Sequence, residues 1–142
     1  MVGHEGGRIL VTGALGQIGT DLVQSLRYIY GSDNVIASDI REKKDHPCIQ
    51  NGPYINLDVL DKDRIFKIVV EKKVKIIYHL AAILSAKGEA HTDLCELINV
   101  EGTRNIFEAA REFNLRVFAP SSICLLYTSD AADDSLRVDL GG

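Results

Sequence analysis

The 142-residue sequence lacks several features that define large classes of protein. It has no apolar run of the length needed to cross a bilayer, so we do not expect it to insert into a membrane. It also has no basic excess, because 16 lysines and arginines against 20 aspartates and glutamates give a net charge of −4. A chain with this charge balance is not expected to bind nucleic acid or an anionic membrane surface.

Cysteine is scarce and dispersed. The three cysteines, Cys48, Cys95 and Cys124, are odd in number and have no C-x-x-C spacing. They predict neither a disulfide framework nor a metal site, and a reducing compartment is expected. Residues 1–7 lack the apolar core of a secretory signal and the arginine-rich character of a mitochondrial one. We therefore expect a cytoplasmic protein, with the mitochondrial matrix as the alternative if a transit peptide precedes residue 1.

The sequence does contain a short apolar strand, residues 9–12, that runs directly into a glycine turn and a helix. The turn has the spacing G-x-x-G-x-x-G, where the standard fingerprint has G-x-G-x-x-G. Gly13 lets the chain leave the strand sharply, Gly16 lets a pyrophosphate approach the backbone, and Gly19 lets the helix pack closely. The helix N-terminus adds unpaired N–H groups and the positive end of a dipole. This stretch predicts the phosphate cradle of a dinucleotide site.

An acidic residue stands at the distance that this interpretation requires. Asp39 follows Gly19 by 20 residues and ends the next predicted strand, residues 34–39. A carboxylate there accepts hydrogen bonds from the ribose hydroxyls of NAD and repels the extra phosphate of NADP. Arg41, two residues later, could attract that phosphate. Because Asp39 comes first, the sequence favours NAD as the cofactor.

Strands and helices alternate along the rest of the chain. The first helix is expected to end at Gly31. Apolar residues recur on it at helical spacing and are expected to face the core: Ile18, Leu22, Leu26 and Ile29. Further strands are predicted at residues 54–59, 75–82 and 115–120, with a long helix at 93–113. This alternation predicts an α/β fold with a doubly wound parallel sheet, truncated after about five strands.

Four polar residues have two interpretations each. Asp58 either lies near an adenine ring or is a simple turn residue. His79, inside an apolar strand, is expected to be a satisfied core residue and not a base. Asn99, on the long helix, is either a structural bridge or part of a proton path. Ser122, after the last strand, either binds a substrate oxygen or opens a loop.

Four stretches together resemble the extended short-chain dehydrogenase/reductase superfamily, which includes nucleotide-sugar epimerases and dehydratases. They are TGALGQIG at 12–19, HLAA at 79–82, INVEGTRN at 98–105 and PSS at 120–122. Residues 13–19, 33–41 and 79–89 are most similar to its L-threonine 3-dehydrogenase branch. The resemblance implies a Rossmann fold, NAD as cofactor, L-threonine as a small-molecule substrate oxidised to 2-amino-3-oxobutanoate, and a homodimer at full length. The alternatives are a nucleotide-sugar epimerase or dehydratase, and a non-catalytic dinucleotide-binding protein.

The resemblance also implies a set of site residues and no metal ligand. The pyrophosphate turn would be formed by Gly13, Ala14, Leu15, Gly16, Gln17, Ile18 and Gly19. The ribose and adenine contacts would come from Asp39, Ile40, Arg41, Asp58 and Val59. The remaining cofactor contacts would be Leu80, Ala81 and Ala82, on the nicotinamide side, and Asn99. Ser85 would contact the substrate, and Ser122 would be the catalytic serine.

The sequence departs from the superfamily pattern after Ile123. There the superfamily continues with a Gly-aromatic-Gly segment and a Tyr-x-x-x-Lys motif, whose tyrosine acts as general base. Tyr127 does not match this motif, because Ala131 stands four residues later. Residues 124–142 resemble a translated sequencing adapter instead. We therefore expect an incomplete NAD-binding Rossmann domain at 1–123, a non-native tail at 124–142, and no catalysis by this chain alone.

Overall fold

The computed structural model describes residues 7–81 and 92–119. The strands in these ranges are β1 Arg8–Thr12, β2 Val35–Asp39, β3 Tyr54–Asn56, β4 Val74–His79 and β5 Arg116–Phe118. The helices are α1 Gln17–Tyr30, α2 Pro47–Gln50, α3 Lys62–Lys72 and α4 Thr92–Phe113. A 3₁₀ turn, Ser32–Asn34, joins α1 to β2. Within these ranges, no helix combines the length and apolar character needed to cross a membrane.

The strands form one parallel sheet in the order β3-β2-β1-β4-β5. The chain builds outward from β1 to β3 and then crosses back to place β4 on the other side of β1. The connections on either side of β1 therefore diverge, and a crevice opens at the carboxyl ends of β1 and β4, which is where such sheets bind ligands. The predicted doubly wound α/β fold is confirmed.

Helices cover both faces of the sheet. The side chains of each strand alternate between the two faces, so each face has its own apolar cluster. On one face Leu10 and Ile77 pack with apolar residues of α3 and α4. On the other face Ile9 and Val11 pack with α1 and with Cys48 of α2. This two-sided burial explains the continuous apolar runs of the strands.

The predicted buried face of α1 is partly wrong. Ile18 and Ile29 are 71% and 62% exposed. The buried residues are Gly19, Val23, Leu26 and Arg27. The face is set by Gly19, whose backbone lies so close to the preceding turn that an added Cβ would lie 2.8 Å from the Ala14 Cα. Helix contact therefore follows the line of Gly19, Val23 and Leu26, and the outer isoleucines turn away from it.

Arg27 is a buried cation that the apolar pattern does not reveal. Its guanidinium donates to the carbonyl oxygens of Val35 at 3.2 Å, Cys48 at 2.8 Å and Pro53 at 2.7 Å. An added Cβ at Gly52 would lie 2.5 Å from the Arg27 Cζ, so this glycine makes room for the guanidinium. The arginine thus ties α1 to β2, α2 and the residue before β3.

Several predicted boundaries also shift. The strand predicted at 54–59 ends at Asn56, because Leu57 makes the last ladder hydrogen bond, to the Asp39 carbonyl at 2.9 Å, before the chain turns. The strands predicted at 75–82 and 115–120 end at His79 and Phe118. Residues 42–52 are charged and polar and contain Pro47 and Gly52, which predicts a surface loop. The structure forms the single-turn helix α2 there, whose length is below what periodicity detects. The long helix agrees with its prediction to within one residue.

Candidate functional site

The three glycines of the turn between β1 and α1 differ in what the fold requires of them. Gly13 has a φ of 67°, and an added Cβ would lie 2.7 Å from the Leu80 carbonyl carbon. Gly19 packs against the turn, as described above. Gly16 has an ordinary φ of −74°, and among the described residues its added Cβ would meet only the Gly13 carbonyl oxygen, at 3.5 Å. The fold therefore requires Gly13 and Gly19, whereas the space beside Gly16 is open to a ligand.

The amides around this open space suit an anion. In the part of the chain that the structure describes, no side chain caps the start of α1 at Gly16 and Gln17. The first-turn N–H groups of a helix lack intrahelical partners, and they carry the positive end of the helix dipole. The side chains of Gln17 and Ile18 are exposed. The turn thus fits a diphosphate group.

The Asp39 carboxylate faces the turn from the end of β2. Its Oδ2 accepts the Leu15 N–H at 3.0 Å and Arg41 Nη2 at 3.2 Å. Its Oδ1 accepts the Arg41 N–H at 3.0 Å and Arg41 Nε at 3.1 Å. Burial opposes ionisation, but the hydrogen bonds from Arg41 and Leu15 outweigh it and hold the pKa of Asp39 below its usual range. The four donors match the four acceptor positions of a carboxylate, so a ribose hydroxyl must displace one of them.

Two side chains of β3 hold the backbone of residues 39–41. The Tyr54 hydroxyl donates to the Asp39 carbonyl at 3.1 Å and also contacts the Arg41 carbonyl. The Asn56 Nδ2 donates to the carbonyls of Asp39, at 3.1 Å, and Ile40, at 3.0 Å. Sequence reasoning missed both residues. The available signal was their alternate spacing on one face of a strand next to the acidic strand end.

The residues predicted near adenine lie in a turn fastened by α4. Asp58 is exposed, and its Oδ1 accepts the Leu60 N–H at 3.0 Å, which is a turn contact. Val59 is buried, and its carbonyl accepts Asn105 Nδ2 at 2.9 Å. An added Cβ at Gly102 would lie 2.7 Å from the Val59 Cγ2. Gly102 and Asn105 were not among the predicted site residues, although both fall in a stretch that carried the family resemblance.

At the β4 end of the crevice, a series of hydrogen-bonded polar side chains supports the backbone. The Thr12 Oγ1 accepts the N–H groups of Leu80 at 3.0 Å and Ala81 at 3.2 Å. The same oxygen lies 2.9 Å from His79 Nδ1, and His79 Nε2 lies 3.2 Å from the Thr103 Oγ1. Burial lowers the pKa of His79 to about 4, so the ring is neutral at pH 7. His79 is thus the satisfied core residue that the sequence predicts.

Of the predicted site residues that remain, the structure describes Asn99 but not the other three. Ala82, Ser85 and Ser122 lie outside the described residues. Asn99 lies on α4 and is half-buried. The structure brings the turn at 13–19, Asp39, Leu80 and Ala81 to one edge of the sheet.

A parallel sheet in this order, with a glycine turn and an acidic strand end at its crevice, defines a Rossmann-type dinucleotide-binding fold. The sequence profile of the NAD dependent epimerase/dehydratase family matches residues 9–137. The chain belongs to this family, whose name implies a nicotinamide cofactor.

Three similar proteins extend the comparison. An uncharacterized epimerase/dehydratase of Staphylococcus aureus is 50% identical over 116 residues, which are 82% of this chain and 36% of that protein. The L-threonine 3-dehydrogenase of Trypanosoma brucei is 49% identical, with a TM-score of 0.77 over 82% of this chain and 36% of that one. A monomeric L-threonine 3-dehydrogenase of metagenomic origin is 46% identical, with a TM-score of 0.75 over 81% and 36%. The chain thus spans about 36% of the length of these relatives.

Proposed function

We propose that this chain binds NAD and forms the cofactor-binding part of an NAD-dependent L-threonine 3-dehydrogenase. The observation behind the binding proposal is the open space beside Gly16, where neither φ nor packing requires a glycine. The choice of L-threonine follows the solved relatives that bear this enzyme's name at 46% and 49% identity.

Each part of the crevice has a task in this proposal. Within the turn at 13–19, the first-turn amides of α1 hold the pyrophosphate, because the amides of Ala14, Leu15 and Gly16 already donate to other groups of the fold. Asp39 accepts the ribose hydroxyls after Arg41 gives up one of its hydrogen bonds. Asp58 and Val59 lie beside the adenine. The contacts on the nicotinamide side come from Leu80, Ala81 and Ala82, with Asn99 completing the cofactor set. When bound, NAD supplies a hydride acceptor for the oxidation of a hydroxyl carbon.

The whole protein is proposed to complete the site beyond this chain's matching region. Ser85 would contact the substrate and Ser122 would orient its oxygen, while a Tyr-x-x-x-Lys motif after residue 123 would supply the general base. The division into a Rossmann domain at 1–123 and a non-native tail at 124–142 stays a prediction, as does catalytic inactivity of this chain alone. Sequencing the locus through codon 123 tests the division.

The cofactor proposal is tested by calorimetric titration of the 142-residue chain with NAD and NADP. We expect NAD to bind more tightly, because the ionised Asp39 repels a 2′-phosphate. Gly16→Ala fills the open space and should weaken NAD binding at least tenfold, while Ser25→Ala, on the exposed face of α1, serves as the control. NAD binding that is unchanged by Gly16→Ala would refute the placement of the pyrophosphate.

The substrate proposal requires the full-length protein. With L-threonine and NAD, we expect NADH to accumulate. UDP-glucose isomerised without net NADH formation would favour the epimerase alternative. NAD binding without turnover of either substrate would favour a non-catalytic dinucleotide-binding protein. Sedimentation of the same protein tests the predicted homodimer, for which the monomeric relative is a counter-example.

A further inference from the structure

The hydrogen bonds around Thr12 fix where its proton points. Thr12 is 1% exposed, and its Oγ1 accepts hydrogen bonds from the N–H groups of Leu80 and Ala81. The Leu80 N–H is shared with the Thr12 carbonyl, at 3.2 Å. A hydroxyl has two acceptor positions and one proton. Because both acceptor positions face amides, the proton points to the remaining neighbour, His79 Nδ1, at 2.9 Å.

The state of the His79 ring follows from this assignment. Nδ1 accepts a proton from Thr12, so a neutral imidazole must hold its own proton on Nε2. Nε2–H then donates to the Thr103 Oγ1, at 3.2 Å. Within the described residues, the groups facing the ring nitrogens are these two hydroxyls, and burial is the one cause that lowers the pKa of His79. With the Nε2–H tautomer, the Thr12 hydroxyl and both ring nitrogens of His79 each have a hydrogen-bond partner.

The Thr12 end of this hydrogen-bonded series lies at the crevice. Leu80 and Ala81 follow β4 directly, and the Leu80 carbonyl carbon is the atom that an added Cβ at Gly13 would meet at 2.7 Å. The backbone of these two residues is therefore confined between the glycine turn and the Thr12 hydroxyl. Rotation of that hydroxyl would withdraw an acceptor from the Leu80 and Ala81 amides.

We propose that His79, as its Nε2–H tautomer, is a positioning residue that locks the Thr12 hydroxyl and so fixes Leu80 and Ala81 against the nicotinamide end of NAD. The ring accepts the Thr12 hydroxyl proton in a hydrogen bond and is not a catalytic residue, because it is buried. This proposal rests on the proposed function, because that function places the nicotinamide beside Leu80 and Ala81.

The first test reads the tautomer without any ligand. Long-range ¹H–¹⁵N spectra of the 142-residue chain distinguish protonated from unprotonated ring nitrogens, and His79→Asn identifies the His79 signals among the four histidines. We expect Nδ1 to be unprotonated and Nε2 protonated at pH 7 and at pH 5.5. A proton on Nδ1 at either pH would overturn the proposal.

The second test separates positioning from simple stabilisation. ADP-ribose shares every part of NAD except the nicotinamide, so the two ligands are titrated against the same variants. His79→Leu removes the acceptor and should weaken NAD binding by about 3- to 10-fold, the range for one lost hydrogen bond. The affinity for ADP-ribose should stay within about twofold of the wild-type value. His79→Asn, whose side-chain oxygen can stand near the Nδ1 position, should restore most of the NAD affinity. Tyr78→Phe, the preceding β4 residue, is the control.

The outcomes distinguish the two proposals. Equal weakening of NAD and ADP-ribose, or of neither, by His79→Leu would mean that His79 supports the fold only. Failure of the wild-type chain to bind either ligand would instead remove the proposed function and the positioning role with it. If His79→Leu does not fold, Thr103→Val replaces it, because it removes the outer hydroxyl from a half-buried position and should produce the same ligand-selective loss.

Discussion

The two sides of the crevice hold their backbone in opposite ways. The β2 side, residues 39–41 with Tyr54 and Asn56, depends on an ion pair whose Arg41 side chain is 50% exposed. The β4 side, Leu80 and Ala81 with Thr12, His79 and Thr103, depends on neutral groups of which His79 is 4% exposed. Solvent reaches the Arg41 side chain of the first arrangement, whereas Thr12 and His79, at the centre of the second, are buried.

This difference has a consequence for binding. On the β2 side the four acceptor positions of Asp39 are taken, so a ligand hydroxyl must exchange with an Arg41 donor. On the β4 side the amides of Leu80 and Ala81 are already held in place. The β2 side therefore adapts, and the β4 side is preorganised, which reduces the ordering cost of binding.

The largest expected effect comes from Gly13, whose backbone packs against the β4 side. Gly13→Ala places a Cβ at a φ of 67° and within 2.7 to 2.8 Å of the Leu80 and Ala81 backbone. We expect the free energy of unfolding to fall by about 3 to 5 kcal/mol, from left-handed strain and displacement of the β4 end. Urea denaturation of the 142-residue chain measures this loss.

Gly16→Ala is the matched control for that substitution. Its φ of −74° and the open space beside it permit a methyl group, so the stability should change by about 1 kcal/mol or less, the scale of a helix N-cap change. NAD binding should be impaired in both variants. A Gly13→Ala chain as stable as the Gly16→Ala chain would show that the backbone of Leu80 and Ala81 does not confine residue 13.

The next largest effect is a loss of stability at low pH, which we expect from His79 on the β4 side. The pKa of His79 is about 4 in the folded chain against an ordinary value of 6.5. Between these values the unfolded chain binds a proton that the folded chain does not, so the free energy of unfolding falls as the pH is lowered from 6.5 to 4. The expected loss is about 2 to 4 kcal/mol.

Urea denaturation of wild type and His79→Asn at pH 7, 5.5 and 4 measures the His79 contribution as a difference, because the carboxylates titrate in both proteins. The advantage of the wild type should shrink steadily over this range. A difference that stays constant from pH 7 to 4 would mean that the His79 ring takes up a proton while folded, contrary to the tautomer argument.

The sequence predicts the architecture and the glycine turn well because both depend on local patterns. Alternating apolar strands and helices specify the parallel sheet, and the spacing of Gly13, Gly16 and Gly19 specifies the turn. The buried face of α1 was wrong because tertiary packing at Gly19, not apolar periodicity, sets the rotation of that helix.

The support of the site was not predictable in the same way. Thr12 meets His79 across 67 positions of sequence, and Asn105 meets the Val59 carbonyl across 46. No local spacing encodes such contacts, because they arise only when parallel strands and a crossover helix are brought together. Sequence reasoning could identify His79 as a satisfied core residue, since a lone histidine in an apolar strand needs partners, but could not name those partners.

The smallest expected effect lies on the β2 side, with Asp39→Asn. The folded pKa of Asp39 lies below its ordinary value of 3.8, so its charge stabilises the fold above pH 3.8 and this contribution is lost as the pH falls through the folded value. We expect a loss of about 1 kcal/mol at pH 7, because the half-exposed Arg41 is screened by solvent and the amide oxygen still accepts the Leu15 N–H. Denaturation at pH 7 and at stepwise lower pH should find this loss unchanged down to about pH 4.5 and vanishing below 3.8. If the loss already declines between pH 6.5 and 4.5, the two sides titrate together, and the β2 side is coupled to the His79 chain and not independent of it.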